Sequence, residues 1–284
     1  METPREFIKP SGKKESKKWV REHEESARKK FVEGGEKNAE LEKLLQTIDF
    51  KLLKSLFEEV VKRTTLDFSG FNFLGLDRIA HKTEEGSDAE YFIGLNLIGF
   101  DFKRVKSAAE KIGFDVKLLL LRLLCHEEAH AVAKSICYGL RGIPAFQSLK
   151  SGLQEVSQSN WALLDEAVTE KLSGEVFIDY LRGNPDFATK DAVQKFHEKY
   201  AYAAIYSDAV KLLDTLTQRI SRDSGMPEEE VWRGFVRSKL EGEDLWKTET
   251  KEFFDSVSPE FFKKLMKARF ADLEILIEQL RQTQ

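Results

Sequence analysis

At 284 residues the chain has room for one or two packed units with a substantial core. Its 41% hydrophobic and 11% aromatic content excludes a disordered chain despite 33% charged residues, and two cysteines exclude a disulfide-stapled scaffold. A formal net charge of -4 gives no broad cationic face, so neither nucleic acid nor a membrane surface is expected as a partner.

The N-terminal stretch, residues 1–40, is charge-dense with few large apolar side chains, and reads as a charged extension rather than part of a core. Trp19, His23, Ala27 and Phe31 recur every four residues, a thin helical stripe that ends at Gly34 and Gly35. A solvated helical extension is the expectation here, ahead of an inhibitory pro-segment. Residues 1–18 carry no apolar export core, and the longest apolar run, Leu118 to Cys125, is interrupted by Arg122. That run is far short of the roughly 20 residues that span a bilayer, so a cytoplasmic location is expected.

From Leu41 to Val61 apolar residues repeat with helical period, which predicts a helix packed on a core. Thr64 to Phe73 and Ala89 to Leu97 are rich in Thr, Phe, Tyr, Ile and Leu with glycines among them, and predict short strands. A helix over 105–112 is ended by Gly113, and a longer one is predicted from Asp115 to Tyr138. Trp161 to Leu181 repeats its apolar residues at helical spacing. Beyond Pro185 three further helices are predicted, over 195–219, 227–240 and 258–280, two of them with a proline in the first turn. The predicted organisation is therefore an α+β fold, mostly helical, with a small mixed sheet before the long helix. It divides into an extension (1–40), a central domain (41–184) and a helical C-terminal subdomain (185–284).

The long predicted helix contains His126-Glu127-Glu128-Ala129-His130, an H-E-x-x-H sequence. Four residues advance a helix by about 400°, so both imidazoles share one side, a turn apart, and can reach one metal ion. Glu127 lies about 100° round the helix, beside the ion but not aimed at it, where a general base for a bound water belongs. A catalytic zinc needs three protein ligands and one open position. The helix over 161–181 offers Glu166 as the third ligand. Glu170, four residues on and on the same face, is suited to accept the remaining ring N–H of a ligating histidine. Glu155 is nearer in sequence but lacks the helical surroundings. Cys125 faces about 100° away from His126 and reads as a small buried hydrophobe. Cys137, twelve residues on, would stand about 18 Å away along the same helix, beyond any disulfide. His23 and His81 read as structural or solvated.

HEEAH at 126–130 and DEAVTE at 165–170 resemble the two motifs of the gluzincin metallopeptidases, the thermolysin-like enzymes. The resemblance covers about residues 89–181, with a charged residue at Glu128 and a longer insertion between the motifs as departures. It implies a zincin-like fold and a Zn2+ held by His126, His130 and Glu166, with Glu127 as the catalytic base and Glu170 supporting a ligand. It implies too a strand edge, within 91–97, lining a cleft for a peptide or protein substrate. Family members often set a Tyr or His opposite the metal as oxyanion donor. Tyr200, Tyr202, Tyr206 and His197 are the candidates, Tyr206 foremost. The expected function is zinc-dependent peptide hydrolysis. The alternative is a catalytically inactive binding or regulatory protein that keeps this architecture.

Overall fold

The computed structural model describes residues 5–8, 38–65, 71–82, 86–139, 146–151, 153–155, 161–203, 206–242 and 259–282, with scattered positions between 18 and 29. At 5–8, 136–139, 146–151, 155, 197–203 and 259 it describes the backbone alone. The stripe Trp19, His23, Ala27 and Phe31 lies outside the described residues.

The fold is α+β and mostly helical. After a strand β1 (Arg5–Ile8), two helices α1 (Ala39–Leu45) and α2 (Phe50–Thr64) replace the single helix expected over 41–61. The break falls at Asp49, whose carboxylate accepts from the backbone N–H groups of Lys51 and Leu52 and so starts a second helix. α2 extends to Thr64, and the expected strand over 64–73 is not formed in its described part: residues 71–75 have no regular structure. Side-chain bonds from the buried core hold this segment instead.

A three-stranded sheet follows, with strands β2 (Ile79–His81), β3 (Ala89–Phe92) and β4 (Leu97–Phe100) in the order β2-β4-β3. β2 runs parallel and β3 antiparallel to β4. The expected single strand 89–97 is thus a hairpin, turned at residues 93–96 with Asn96 at a left-handed φ of 52°. Asparagine tolerates that region, and Asn96 is held there by a buried network: its Oδ1 accepts from Asn72 Nδ2 (2.8 Å) and from the Tyr91 hydroxyl (3.1 Å). Asn72 also donates to Ala131 O at 3.1 Å, tying the hairpin turn to the end of the long central helix.

α3 (Phe102–Ile112) is closed by Gly113 at φ 70°, as expected from the glycine. The central helix α4 (Val116–Ala131) starts at an Asp115 cap and is buried on nearly every side. It ends seven residues earlier than predicted. Residues 135–139 form β5 (Ser135–Gly139), in a second sheet with β6 (Phe146–Ser151) and β7 (Gln154–Glu155), ordered β1-β5-β6-β7. The apolar residues Ile136 and Tyr138 suit a helix or a strand equally, and only pairing to β1 and β6 decides for a strand. Cys125 and Cys137 therefore do not share a helix. β5 to β7 fill the long interval between the two sequence motifs. The strand β1 adds Arg5–Ile8 in parallel to β5, so this part of the N-terminal stretch sits in a sheet.

α5 (Ala162–Gly183) lies antiparallel to α4, as the contacts Arg122–Ser173, His126–Glu170 and His130–Asp165 show by their descending order. Beyond it come α6 (Lys190–Ala203), α7 (Ser207–Ser224), α8 (Glu228–Glu241), α9 (Pro259–Lys267) and α10 (Leu273–Gln282). The helix expected over 195–219 is split ahead of Tyr206, the capping residue of α7, and that over 258–280 is split by a short 3-10 turn at Phe270–Asp272. One continuous apolar core runs from Leu41 in α1 to Leu280 in α10 and surrounds α4 and α5. Among the described residues no helix is long and apolar enough to cross a membrane.

Candidate metal centre

α4 and α5 meet along faces that carry charge inside the core. His126, Glu127 and Glu128 on α4 and Asp165 and Glu170 on α5 are all buried. Buried charges need partners, and here the partners are largely one another.

One potential ligand atom from each of His126, His130 and Glu166 lies within 4.8 Å of the others, so the three could hold a metal ion. Both imidazoles turn Nε2 towards the same carboxylate oxygen, Glu166 Oε2, at 3.3 Å from His126 and 3.5 Å from His130. That oxygen is buried and has no hydrogen-bond partner among the described residues. A buried carboxylate oxygen facing two ring nitrogens without a well-aligned bond to either suits a cation shared by all three.

The far side of each ring is also engaged. His126 Nδ1 is 3.0 Å from Glu170 Oε2, and His130 Nδ1 is 3.5 Å from Asp165 Oδ2. A carboxylate at Nδ1 favours the tautomer with its proton there, which leaves the Nε2 lone pair directed at the cluster. The carboxylates are fixed in turn. Glu170 Oε1 pairs with Arg122 Nη2 at 2.7 Å, while Arg122 also donates to Ser173 Oγ (2.7 Å) and Glu170 O (3.0 Å). Asp165 Oδ1 accepts from Leu153 N–H at 2.8 Å, and its Oδ2 accepts from Lys239 Nζ at 2.9 Å.

Glu127 is turned towards the β3 edge, where its Oε2 accepts from the Tyr91 backbone N–H at 2.7 Å. Burial raises its pKa, with the nearby Glu166 adding to the rise against the pull of His126 and His130. Glu128 points elsewhere: its Oε2 accepts from Leu74 N–H at 3.1 Å, and burial holds it well above the usual carboxylate range. The charged residue that departs from the motif thus staples the 71–75 segment to α4. Burial opposes charge on Glu166 and on His126 alike, yet their contacts prevail. Glu166 is held well below the usual range by His130 and His126, and His126 is raised to about 9 by Glu166 and Glu170.

The site residues named from sequence thus converge. Tyr206 also reaches the cluster, its ring stacked on that of His126 at 5.3 Å between centroids and 20° between planes. His197, Tyr200 and Tyr202 in α6 and Glu155 in β7 are described by their backbone alone, so their side chains lie outside the described residues. Cys125 is a free, fully buried thiol. Sequence reasoning gave no role to Arg122, Asp165 or Lys239. Two of these left a trace: Arg122 is the one charge in an apolar run, four residues before His126 on the same face, and Asp165 stands beside Glu166. Lys239 left none.

Compared with known proteins, the chain matches no family model, no curated protein and no solved structure.

Proposed function

We propose that this chain is a zinc-dependent metallopeptidase of the gluzincin type, with zinc held by His126, His130 and Glu166. The observation that carries the reading is the buried Glu166 Oε2, without a hydrogen-bond partner among the described residues, facing two imidazole Nε2 atoms whose other nitrogens abut carboxylates. Charge supports it as well. Arg122 and Lys239 offset Glu170 and Asp165, which leaves the Glu166 carboxylate facing the two imidazoles with no cation of its own from Lys or Arg among the ion pairs described. When bound, zinc supplies Lewis acidity and a water acidified towards a pKa of about 7.

The chain's own groups would do the rest. Glu127, raised in pKa and held by Tyr91 N–H, takes a proton from the attacking water and passes it to the leaving amine. β3 suits a peptide as a template. Asp101 N–H donates to Asp88 O at 2.9 Å, which fixes the ladder so that Ala89 and Tyr91 turn their backbone groups away from β4. Tyr91 N–H already faces Glu127, so an extended peptide added to this edge would run past the base. Tyr206, over His126, is the oxyanion donor in this reading.

The test is zinc content and cleavage of a generic unfolded protein by the full chain. About one zinc per chain with hydrolysis is expected, and Glu127→Gln should keep the zinc and lose the hydrolysis. Stoichiometric zinc without hydrolysis from about pH 5 to 9 would instead establish the inactive binding protein, and absence of zinc would reject both.

A further inference from the structure

The most deeply buried cation in the described structure belongs to the C-terminal helices, far in sequence from either motif. Lys239 on α8 is fully buried, and its Nζ lies 2.9 Å from Asp165 Oδ2, itself 1% exposed. That same oxygen is 3.5 Å from His130 Nδ1. We propose that Lys239 is a positioning residue for the metal centre, acting through Asp165 to hold His130 in place and in the ligating tautomer. The inference rests on the zinc reading above and extends it to a residue outside both motifs.

Stability alone does not call for a lysine here. A buried ion pair is commonly no better than hydrocarbon of the same volume, because desolvation consumes the Coulombic gain. What the pair does provide is definition. Lys239 Nζ on Oδ2 (2.9 Å) and Leu153 N–H on Oδ1 (2.8 Å) hold the carboxylate from both ends, which fixes its rotation and keeps Oδ2 beside His130 Nδ1. The ammonium itself is placed by the end of α8. Lys134 N–H, just past α4, donates to Leu240 O at 3.0 Å. Gly242 closes α8 at φ 60°, where an added Cβ would stand 3.1 Å from Lys134 Cβ. The C-terminal end of α8 is therefore docked on the chain that leaves the HEEAH helix, with Lys239 directed inward.

The test uses the metal-stripped full chain, titrated with zinc against a chromophoric chelator and with cobalt followed by its visible spectrum. Lys239→Met, which keeps the length and removes the charge, should weaken zinc binding by about 10- to 100-fold and alter the cobalt spectrum as His130 turns. Asp165→Asn should do the same, and the double variant should be no weaker than the worse single one. Wild-type zinc affinity and an unaltered cobalt spectrum in a folded Lys239→Met variant overturn the proposal, whatever its melting temperature. Should that variant not fold, the same two readouts unchanged in Asp165→Asn overturn it, since the route through Asp165 is then absent. A wild-type chain that binds neither ion defeats the zinc reading and this inference with it, and does so before any substitution is made.

Discussion

The two histidines of the cluster are backed in parallel ways built from different parts of the chain. Behind His126 stand Glu170 and Arg122, both from the α4–α5 pair that carries the motifs. Behind His130 stand Asp165 and Lys239, and the lysine comes from α8, 74 positions further along the chain. Each ring thus leans on a carboxylate that leans on a buried cation. The difference lies in what holds the cation: one helix register on the first side, the docking of a separate helix on the second. A metal centre can be half local and half tertiary, and the halves should fail differently.

Removing the group common to both halves has the largest expected effect. Glu166→Ala should abolish stoichiometric zinc, measured as metal per chain after dialysis. Glu127→Gln leaves both halves intact and should keep the zinc while lowering kcat by roughly 10²- to 10⁴-fold. Arg122→Met strikes the local half at its root. It strands Glu170 in the core, and should cost about 3–5 kcal/mol in urea unfolding. Glu170→Gln is milder, retaining shape and a hydrogen-bond acceptor. It should weaken zinc about 10- to 100-fold by competition titration while leaving the α8 contacts unaffected.

At neutral pH the smallest effect comes from the side of α4 turned away from the rings. Burial pushes the Cys125 thiol from its ordinary 9.0 up to about 12. Between those values the unfolded chain gives up a proton that the folded chain keeps, so stability should fall as pH rises above about 9. The slope is at most about 1.4 kcal/mol per pH unit. Urea unfolding at stepped pH checks this, and Cys125→Ala should remove that part of the slope.

Much of the local half could be read in advance, because helical geometry turns spacing into direction. His126 and His130, four apart, and Glu166 and Glu170, likewise four apart, each had to share a face once their segments were helical. The pattern predicts a long helix running on to Tyr138, and it fails where it stops discriminating between periods. Ile136 and Tyr138 fit either period, and their strand exists through pairing with β1 and β6. The β3–β4 hairpin likewise has the pattern of one strand, since its turn depends on Asn96 held at positive φ by Asn72 from outside the hairpin and by Tyr91 of β3. Glu128 could not have been foreseen as a staple, since its partner is a backbone N–H at Leu74.

The primary structure alone established a mostly helical α+β chain, two helices bearing the polar residues of one cluster, and the face on which each residue lies. Those properties follow from composition and from rotation per residue, which need no knowledge of neighbours. Antiparallel contact between α4 and α5, the hairpin edge beside Glu127, and the buried Lys239 behind Asp165 were decided by tertiary packing. They depend on which surfaces exclude water together, and no local period encodes the partner a distant helix will bring.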